Sequence, residues 1–292
     1  MTYQVRHLRA YDRDAFAGRA APRILEPTPV CWMCSRTSGR STKEHVFART
    51  LLEEFPSEQK QFSPARFNSA LYTPDPLGMT HLRGPMPGSA LVAGGICATC
   101  NNLWMSNLEV ATKPLLVSPP ERTLSAVEAR TLAHWFVKTA IVINVSNPHR
   151  LLWPAERRHA VAGRRMPNVA IWLFRVPESD LNWIQARPGG LSLLTNPLES
   201  VDTETASFLG GVIHSCAIQV GTLVGDVVAY PGEISASEFE HDGTLLWKNG
   251  RIGEVNLSDL AVGKDLWDHG AHIKLRTSSF WSGGVPAGYW SK

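Results

Sequence analysis

Two C-x-x-C pairs constrain the fold of this 292-residue chain more than any other feature of its sequence. They are Cys31 with Cys34 and Cys97 with Cys100, and they account for four of the five cysteines. Each pair offers two thiolates from one tight turn, and two such turns make the tetrahedral sulfur site that zinc prefers, with no position open to a substrate. We therefore predict one structural Zn²⁺ ion, which would bring the two pairs together in space.

The alternative to a zinc site is two unrelated pairs of buried or redox-active cysteines. Residues 35–96 separate the pairs, which is more than in common zinc ribbons, but the cost of closing a loop grows slowly with its length. The N-terminal residues 1–16 contain no apolar signal core, and no uncharged apolar run reaches the roughly 18 residues that cross a bilayer. We therefore expect a cytoplasmic protein without membrane association, in which paired cysteines are metal ligands rather than disulfides.

A second group of polar residues lies beside the cysteine pairs. Glu44, His45 and Val46 follow the first pair, and Asn101 and Asn102 follow the second pair directly. The combined pattern is C-x-x-C…E-H-V…C-x-x-C-N. With this pattern the chain resembles the zinc-containing branch of the HNH endonuclease family, and the resemblance covers roughly residues 28–112.

The resemblance implies a ββα-metal fold, in which a β-hairpin packs against one helix. It also implies a role for each matching residue. Glu44 would bind a catalytic divalent cation, Mg²⁺ or another, and His45 would be the general base. Asn101 would be a second ligand of that cation at the start of the helix. The zinc would hold hairpin and helix together and take no part in the chemistry.

The chemistry of phosphodiester hydrolysis supports these residue types independently. A histidine titrates near neutral pH and can accept the proton of an attacking water. Mg²⁺ prefers oxygen ligands and keeps several waters, so one carboxylate and one amide oxygen can hold it against a phosphate. Neighbouring strand residues point to opposite faces, however. Glu44 and His45 therefore serve one site only if the strand twists or bulges there.

Five further residues are candidates for supporting roles. Asn102 and Glu109 share a helix face, so Glu109 is expected to orient Asn102 or to support the metal site from outside its ligands. Helix capping is the simpler role for the asparagines. Arg36, Arg40 and Lys43 flank the predicted strand and are candidates for contacts with DNA phosphates, which position a duplex without reading its sequence. Ordinary solvated charge explains these three residues equally well.

The sequence also departs from the family pattern. Phe47 stands where the family often has proline, and Asn68 is the one asparagine between the two halves of the motif. The net charge of +3 permits binding to nucleic acid without requiring it. Two alternatives to a DNA endonuclease therefore stay open. One is a non-catalytic zinc-binding interaction module, and the other is an RNA-directed nuclease.

The chain is predicted to have an α+β fold in two parts, divided at residues 118–123 (SPPERT). Residues 1–117 would form the zinc-stabilised nuclease domain, with an N-terminal arm, a long inserted loop and a helix from about residue 101 that stops before Pro114. Residues 118–292 would form an accessory domain, in which an apolar helix packs on a mostly antiparallel sheet. Ser125 and Glu128 fit a capping box for that helix, and residues 248–251 (KNGR) fit a tight hairpin turn.

The predicted function is metal-dependent hydrolysis of DNA phosphodiester bonds. Modules of the family recur in phage defence, restriction and mobile elements, and the biological setting is inferred from that analogy alone. Double-strand cleavage often needs two active sites, so a homodimer is expected, or a protein partner bound through the C-terminal domain.

Overall fold

The computed structural model describes part of the 292-residue chain. The described residues are 4–8, 30–37, 41–54, 61–62, 86–87, 92–117, 121–146, 153, 155–176, 184–189, 191–195, 214–230, 239–262 and 274–276. Arg40, Asn68 and most of the predicted inserted loop lie outside these ranges.

Four α-helices are described, and a π-helical segment, Cys100–Met105, leads into the second of them. They are α1 (Arg49–Leu52), α2 (Ser106–Val117), α3 (Ala126–Ser146) and α4 (Ala155–Ala162). A short 3-10 helix spans Leu257–Asp259. Among the described residues, no helix combines the length and the apolar character needed to cross a membrane.

The described strands form one large sheet and three smaller ones. The six-stranded sheet has the order β13 (Arg251–Ile252), β12 (Thr244–Lys248), β6 (Val169–Arg175), β10 (Leu223–Ala229), β9 (His214–Val220) and β7 (Ile184–Gly189). A four-stranded sheet has the order β1 (Gln4–Leu8), β8 (Leu191–Thr195), β14 (Lys274–Arg276) and β11 (Phe239–Glu240). The two remaining pairs are β2 (Ser41–His45) with β5 (Val92–Cys97), and β3 (Gln61–Phe62) with β4 (Met86–Pro87).

Every described strand pairing is antiparallel except that of β8 with β14. Mixed helices and mainly antiparallel sheets make this an α+β fold, as predicted. Helix α3 packs on the six-stranded sheet at very short range. A Cβ atom at Gly225 of β10 would lie 2.4 Å from the ring of Phe136, so only glycine lets the strand approach the helix this closely.

Buried residues on both sides of the predicted boundary at 118–123 belong to one hydrophobic core. Phe47 and Met105 come from the N-terminal side, whereas Trp135, Ile171 and Leu257 come from the C-terminal side. The hairpin of β2 and β5 therefore shares its apolar contacts with α3. The division into two domains stays a prediction.

Two local predictions for the C-terminal part are confirmed. The Ser125 amide donates to Glu128 Oε2 at 2.9 Å and the Glu128 amide donates to Ser125 Oγ at 3.3 Å, which is the predicted capping box at the start of α3. Asn249 and Gly250 have φ values of 51° and 78° between β12 and β13. Positive φ at both central residues is typical of a tight type I′ hairpin turn.

The prediction that a helix stops before Pro114 is wrong, because α2 continues through it to Val117. Proline removes the hydrogen bond to the carbonyl four residues earlier, here that of Val110. Val110 is 70% exposed and Pro114 is also exposed, so water can satisfy that carbonyl.

Candidate functional site

The four cysteines of the two C-x-x-C pairs lie together. The Sγ atoms of Cys31, Cys34, Cys97 and Cys100 are all within 4.8 Å of one another, and all four thiols are free. The Cys34 and Cys97 sulfurs are 3.7 Å apart. That is far beyond the roughly 2.05 Å of a disulfide and close to the spacing of about 3.8 Å that a tetrahedral zinc site imposes. The cluster could hold a metal ion such as zinc.

The first cysteine pair lies in a turn that its own backbone closes. The Ser35 amide donates to the Cys31 carbonyl at 2.8 Å, and the Cys31 amide donates to the Arg36 carbonyl at 3.0 Å. Ser35 has a φ of 57°, in the left-handed region that closes such turns. Its hydroxyl also bonds to Nε2 of His159 on α4. The turn is therefore held by its own backbone and by the C-terminal half of the chain.

The second pair joins strand β5 to the helix that follows. Cys97 is the last residue of β5, and Cys100 begins the π-helical segment before α2. The Cys100 amide points to the Cys97 sulfur at 3.4 Å. A metal ion held by the four sulfurs would therefore fix the hairpin, the first turn and the helix start relative to one another.

The four thiols of the cluster differ in how readily they lose their protons. A hydrogen bond from the Cys100 thiol lowers the pKa of Cys31 to about 4, and the same bond raises the pKa of Cys100 above its ordinary value. Burial raises the pKa of Cys34. Without a metal, one thiolate is thus stabilised by neighbours that keep their protons. A divalent cation removes this restriction, because coordinated thiols are deprotonated.

Two neighbouring glycines in β5, Gly94 and Gly95, differ in the space that is available for a side chain. Gly95 has a φ of +77°, and a Cβ atom there would lie 3.2 Å from Cδ1 of Trp32, whose indole donates to the Gly94 carbonyl at 2.6 Å. A Cβ atom at Gly94 would have no neighbour within 4 Å. We expect Gly95→Ala to lower the free energy of unfolding by about 1–2 kcal/mol, the usual cost of the left-handed region.

Gly94→Ala is the matched control for that substitution and should change stability by less than about 0.5 kcal/mol. Urea denaturation of the two variants measures both values. Equal stability of the two variants would contradict the conformational role assigned to Gly95.

Glu44 and His45 lie at the end of strand β2. The pairing of β2 with β5 shifts register between Thr42 and Glu44, so a bulge precedes Glu44, while Glu44 and His45 face Ala93 and Val92 in regular order. Glu44 is 5% exposed, whereas His45 is only partly buried. Adjacent residues of a regular pair leave a strand on opposite faces. Burial raises the pKa of Glu44, and a positive charge on His45 would be near enough to oppose that rise.

Asn101 connects the helix start to strand β2. Its Nδ2 donates to Thr42 Oγ1 at 3.0 Å and to the Lys43 carbonyl at 2.9 Å. The side chain therefore bonds to the strand rather than capping its own helix. The amide oxygen Oδ1 makes no hydrogen bond to the described residues. That oxygen is the atom required of a cation ligand, and this role stays a prediction.

A buried lysine, which sequence reasoning missed, contacts Glu44. The Lys138 ammonium, on α3, donates to Glu44 Oε1 at 2.9 Å and to Glu109 Oε1 at 2.5 Å, and its side chain is 0% exposed. Burial alone would lower the pKa of Lys138, but Glu109 and Glu44 outweigh it and raise that pKa. Burial raises the pKa of Glu44, and Lys138 opposes the rise. One ammonium therefore donates to two carboxyl groups, and these three residues form the Glu44–Lys138–Glu109 triad.

The remaining candidates lie around this triad. Glu109 bonds to Lys138, and Asn102 is exposed. Arg36 and Lys43 are exposed on the first turn and on β2, and their contact with phosphates stays a prediction. A signal for the lysine was present in the sequence. A lone Lys in the apolar run LAHWFVKTAIVINV needs an acidic partner, because lysine is almost never buried unpaired.

Comparison of the chain with protein families, with curated proteins and with solved structures finds no match.

Proposed function

We propose that this protein is a metal-dependent endonuclease of the HNH type that hydrolyses DNA phosphodiester bonds. One observation carries the proposal. The cysteine cluster joins hairpin and helix so that Asn101 bonds to the Lys43 carbonyl, directly before Glu44 and His45. At this corner of hairpin and helix, the helix-borne amide therefore contacts the strand one residue before the acid and the histidine, although almost sixty residues separate Asn101 from the strand.

The residues at this corner suit the roles that the resemblance implies. Glu44 and Asn101 offer a carboxylate oxygen and an amide oxygen, the donors that a hard cation prefers. A Mg²⁺ ion bound there would stabilise the charge that develops on the phosphate. His45 keeps Nδ1 buried and without a hydrogen-bond partner among the described residues. Because Nδ1 is buried, Nε2 of the ring is the nitrogen that would accept the proton of an attacking water.

A structural role follows for the zinc. Four cysteine ligands fill the coordination sphere and leave no position for water or phosphate. The metal at the cysteines would therefore hold the hairpin and the helix start in place without contacting the substrate. This is the reason to expect two different metals in the active protein, Zn²⁺ at the cysteines and Mg²⁺ or a similar cation at Glu44.

A non-catalytic zinc-binding interaction module is the second candidate, and a specific observation favours it. Glu44 is 5% exposed and its Oε1 is paired with Lys138, so one of its oxygens is already engaged. An acidic residue whose only role is to form a buried ion pair would have the same low exposure and the same bond to lysine. Such a protein would bind zinc, fold normally and leave nucleic acid intact.

Plasmid nicking separates the two candidates. Zinc-loaded wild type should nick supercoiled DNA with Mg²⁺, Mn²⁺ or Ni²⁺ and stop in EDTA, and His45→Ala should cut about 10²–10⁴-fold more slowly, as expected for loss of a general base. Arg49→Ala is the matched control variant, because Arg49 is exposed and its ion pair is with Glu53, the residue that follows α1. Cleavage that survives EDTA, or a fully active His45→Ala protein, would overturn the mechanism.

The same assay with a single-stranded and a double-stranded RNA substrate tests the RNA-directed alternative. Preferential cutting of RNA by the wild type, lost in His45→Ala, would keep the mechanism and change the substrate. Intact DNA and RNA under all metal conditions, with full zinc content, would favour the interaction module.

A further inference from the structure

Lys138 has an unusual position for a charged residue. It lies in α3 between the buried residues Val137 and Thr139, and its side chain is 0% exposed. Its ammonium reaches out of the apolar core to two carboxylates from different elements, Glu44 of β2 and Glu109 of α2. The ammonium therefore connects the helix of the C-terminal half with the strand of the proposed active site.

Stability alone does not account for this lysine. Removing two or three charges from water costs several kcal/mol per ion, and apolar side chains of similar volume are often equally stable or better. The ion cluster is also next to His45 and to the strand that Asn101 holds. A buried charge in such a place is more simply explained by an effect on Glu44 than by packing.

The charges of the triad determine how strongly Glu44 attracts a cation. Two carboxylates and one ammonium give the triad a net charge of −1. Only Oε1 of Glu44 accepts from Lys138, and Oε2 of Glu44 makes no hydrogen bond to the residues that the structure describes. A cation at Glu44 would therefore have one available oxygen, Oε2. The other oxygen, Oε1, is hydrogen-bonded to the Lys138 ammonium, whose positive charge would repel the cation.

We infer that Lys138 is a positioning residue of the Glu44 site, which keeps the affinity of that site for a divalent cation low until an anionic phosphate binds with it. This inference rests on the proposed function. A divalent cation raises the net charge of the triad from −1 to +1, and a phosphodiester, which carries one negative charge, restores neutrality. Cation and substrate should thus bind cooperatively, because each lowers the charge that the other must overcome.

Direct titration with Mn²⁺ tests this inference without relying on cleavage. All proteins carry His45→Ala, so that DNA stays intact, and are loaded with zinc at the cysteines. Free Mn²⁺ is followed by electron paramagnetic resonance, with and without a short DNA duplex. With Lys138 present, the duplex should tighten Mn²⁺ binding on the order of tenfold or more, given the size of charge interactions at short range.

Two substitutions at Lys138 form the matched comparison. Lys138→Arg keeps the positive charge and should retain weak binding of Mn²⁺ alone and the gain from the duplex. Lys138→Met keeps much of the side-chain length without the charge, so it should bind Mn²⁺ alone on the order of tenfold more tightly and gain little from the duplex. Equal Mn²⁺ affinity of Lys138→Met and the parent protein would overturn the inference.

Glu109→Gln decides the case if Lys138→Met fails to fold. It leaves the pair of Lys138 and Glu44 in place and makes the triad neutral, so Mn²⁺ binding should become on the order of tenfold weaker. Unchanged binding in Glu109→Gln would overturn the inference as well. Absence of Mn²⁺ binding in every protein, even with DNA, would instead overturn the proposed function itself.

Discussion

Replacing Cys97 by serine is expected to remove the zinc and unfold the hairpin of β2 and β5 together with the helix start. Structural zinc contributes about 10–16 kcal/mol to folding in zinc-finger peptides, which equals or exceeds the total stability of a typical domain, about 5–15 kcal/mol. Cys97 is 5% exposed and ends β5, so its sulfur holds the strand to the first turn. Elemental analysis should find about one zinc per wild-type chain and none in the variant.

Hydrogen exchange then shows where structure is lost. Amides of β2 and β5 should exchange much faster in Cys97→Ser than in wild type, because their protection depends on the metal. Cleavage should be lost with them, whereas His45→Ala should lose cleavage and keep its zinc and its protection. This contrast separates a scaffold residue from a catalytic one.

Cys216 is the natural control for that experiment, since it is a buried cysteine outside the cluster. Cys216→Ala removes one sulfur from β9 and should retain the zinc, with a loss of stability of about 1 kcal/mol from the altered core packing. A Cys97→Ser protein that is folded and free of metal would contradict the scaffold role. So would loss of zinc in Cys216→Ala.

The features that the sequence predicted correctly are local patterns with a direct physical cause. A C-x-x-C pair places two sulfurs on one turn whatever the rest of the chain does, and four thiols then have few stable arrangements. The capping box of Ser125 and Glu128 and the turn at Asn249 and Gly250 depend on backbone groups within three residues. Such patterns can be recognised without knowledge of the tertiary fold.

The features that sequence reasoning missed depend on contacts between distant parts of the chain. Lys138 and Glu44 are 94 residues apart, and the sequence around each residue does not indicate that the other is its partner. The predicted end of a helix at Pro114 failed for a related reason. Whether a proline ends a helix depends on whether water can reach the freed carbonyl, which is a property of the packed molecule.

Lys138→Ala is expected to cost about 3–5 kcal/mol of unfolding free energy, the range found when one partner of a buried ion pair is removed. Two carboxylates would remain in place, with Glu44 5% exposed and Glu109 partly buried, and without their shared ammonium. Removing the carboxylates as well should recover most of that loss. The triple variant with Lys138→Met, Glu44→Gln and Glu109→Gln should therefore be close to wild type in stability, although it cannot bind a cation at Glu44.

The pH dependence of stability provides a second readout for the same variants. Glu109 and Glu44 outweigh the effect of burial and raise the pKa of Lys138 above its ordinary value of 10.5, so the charge of Lys138 contributes stability that this group retains fully below that pH. The contribution is lost as the pH rises through the folded-state pKa of Lys138. Urea midpoints should therefore fall more steeply above about pH 10.5 in wild type than in the triple variant.

The comparison of these two proteins distinguishes a structural triad from a functional one. Suppose that the triple variant matches wild type in stability but cuts no DNA. The fold then does not need the three charges, and their role is in the cleavage site. If Lys138→Ala costs less than about 1 kcal/mol, the ammonium is not a buried counter-ion and the expected penalty for breaking the triad is wrong. A triple variant that is both stable and active would show that neither Glu44 nor Lys138 takes part in cleavage, and the nuclease site would have to lie elsewhere.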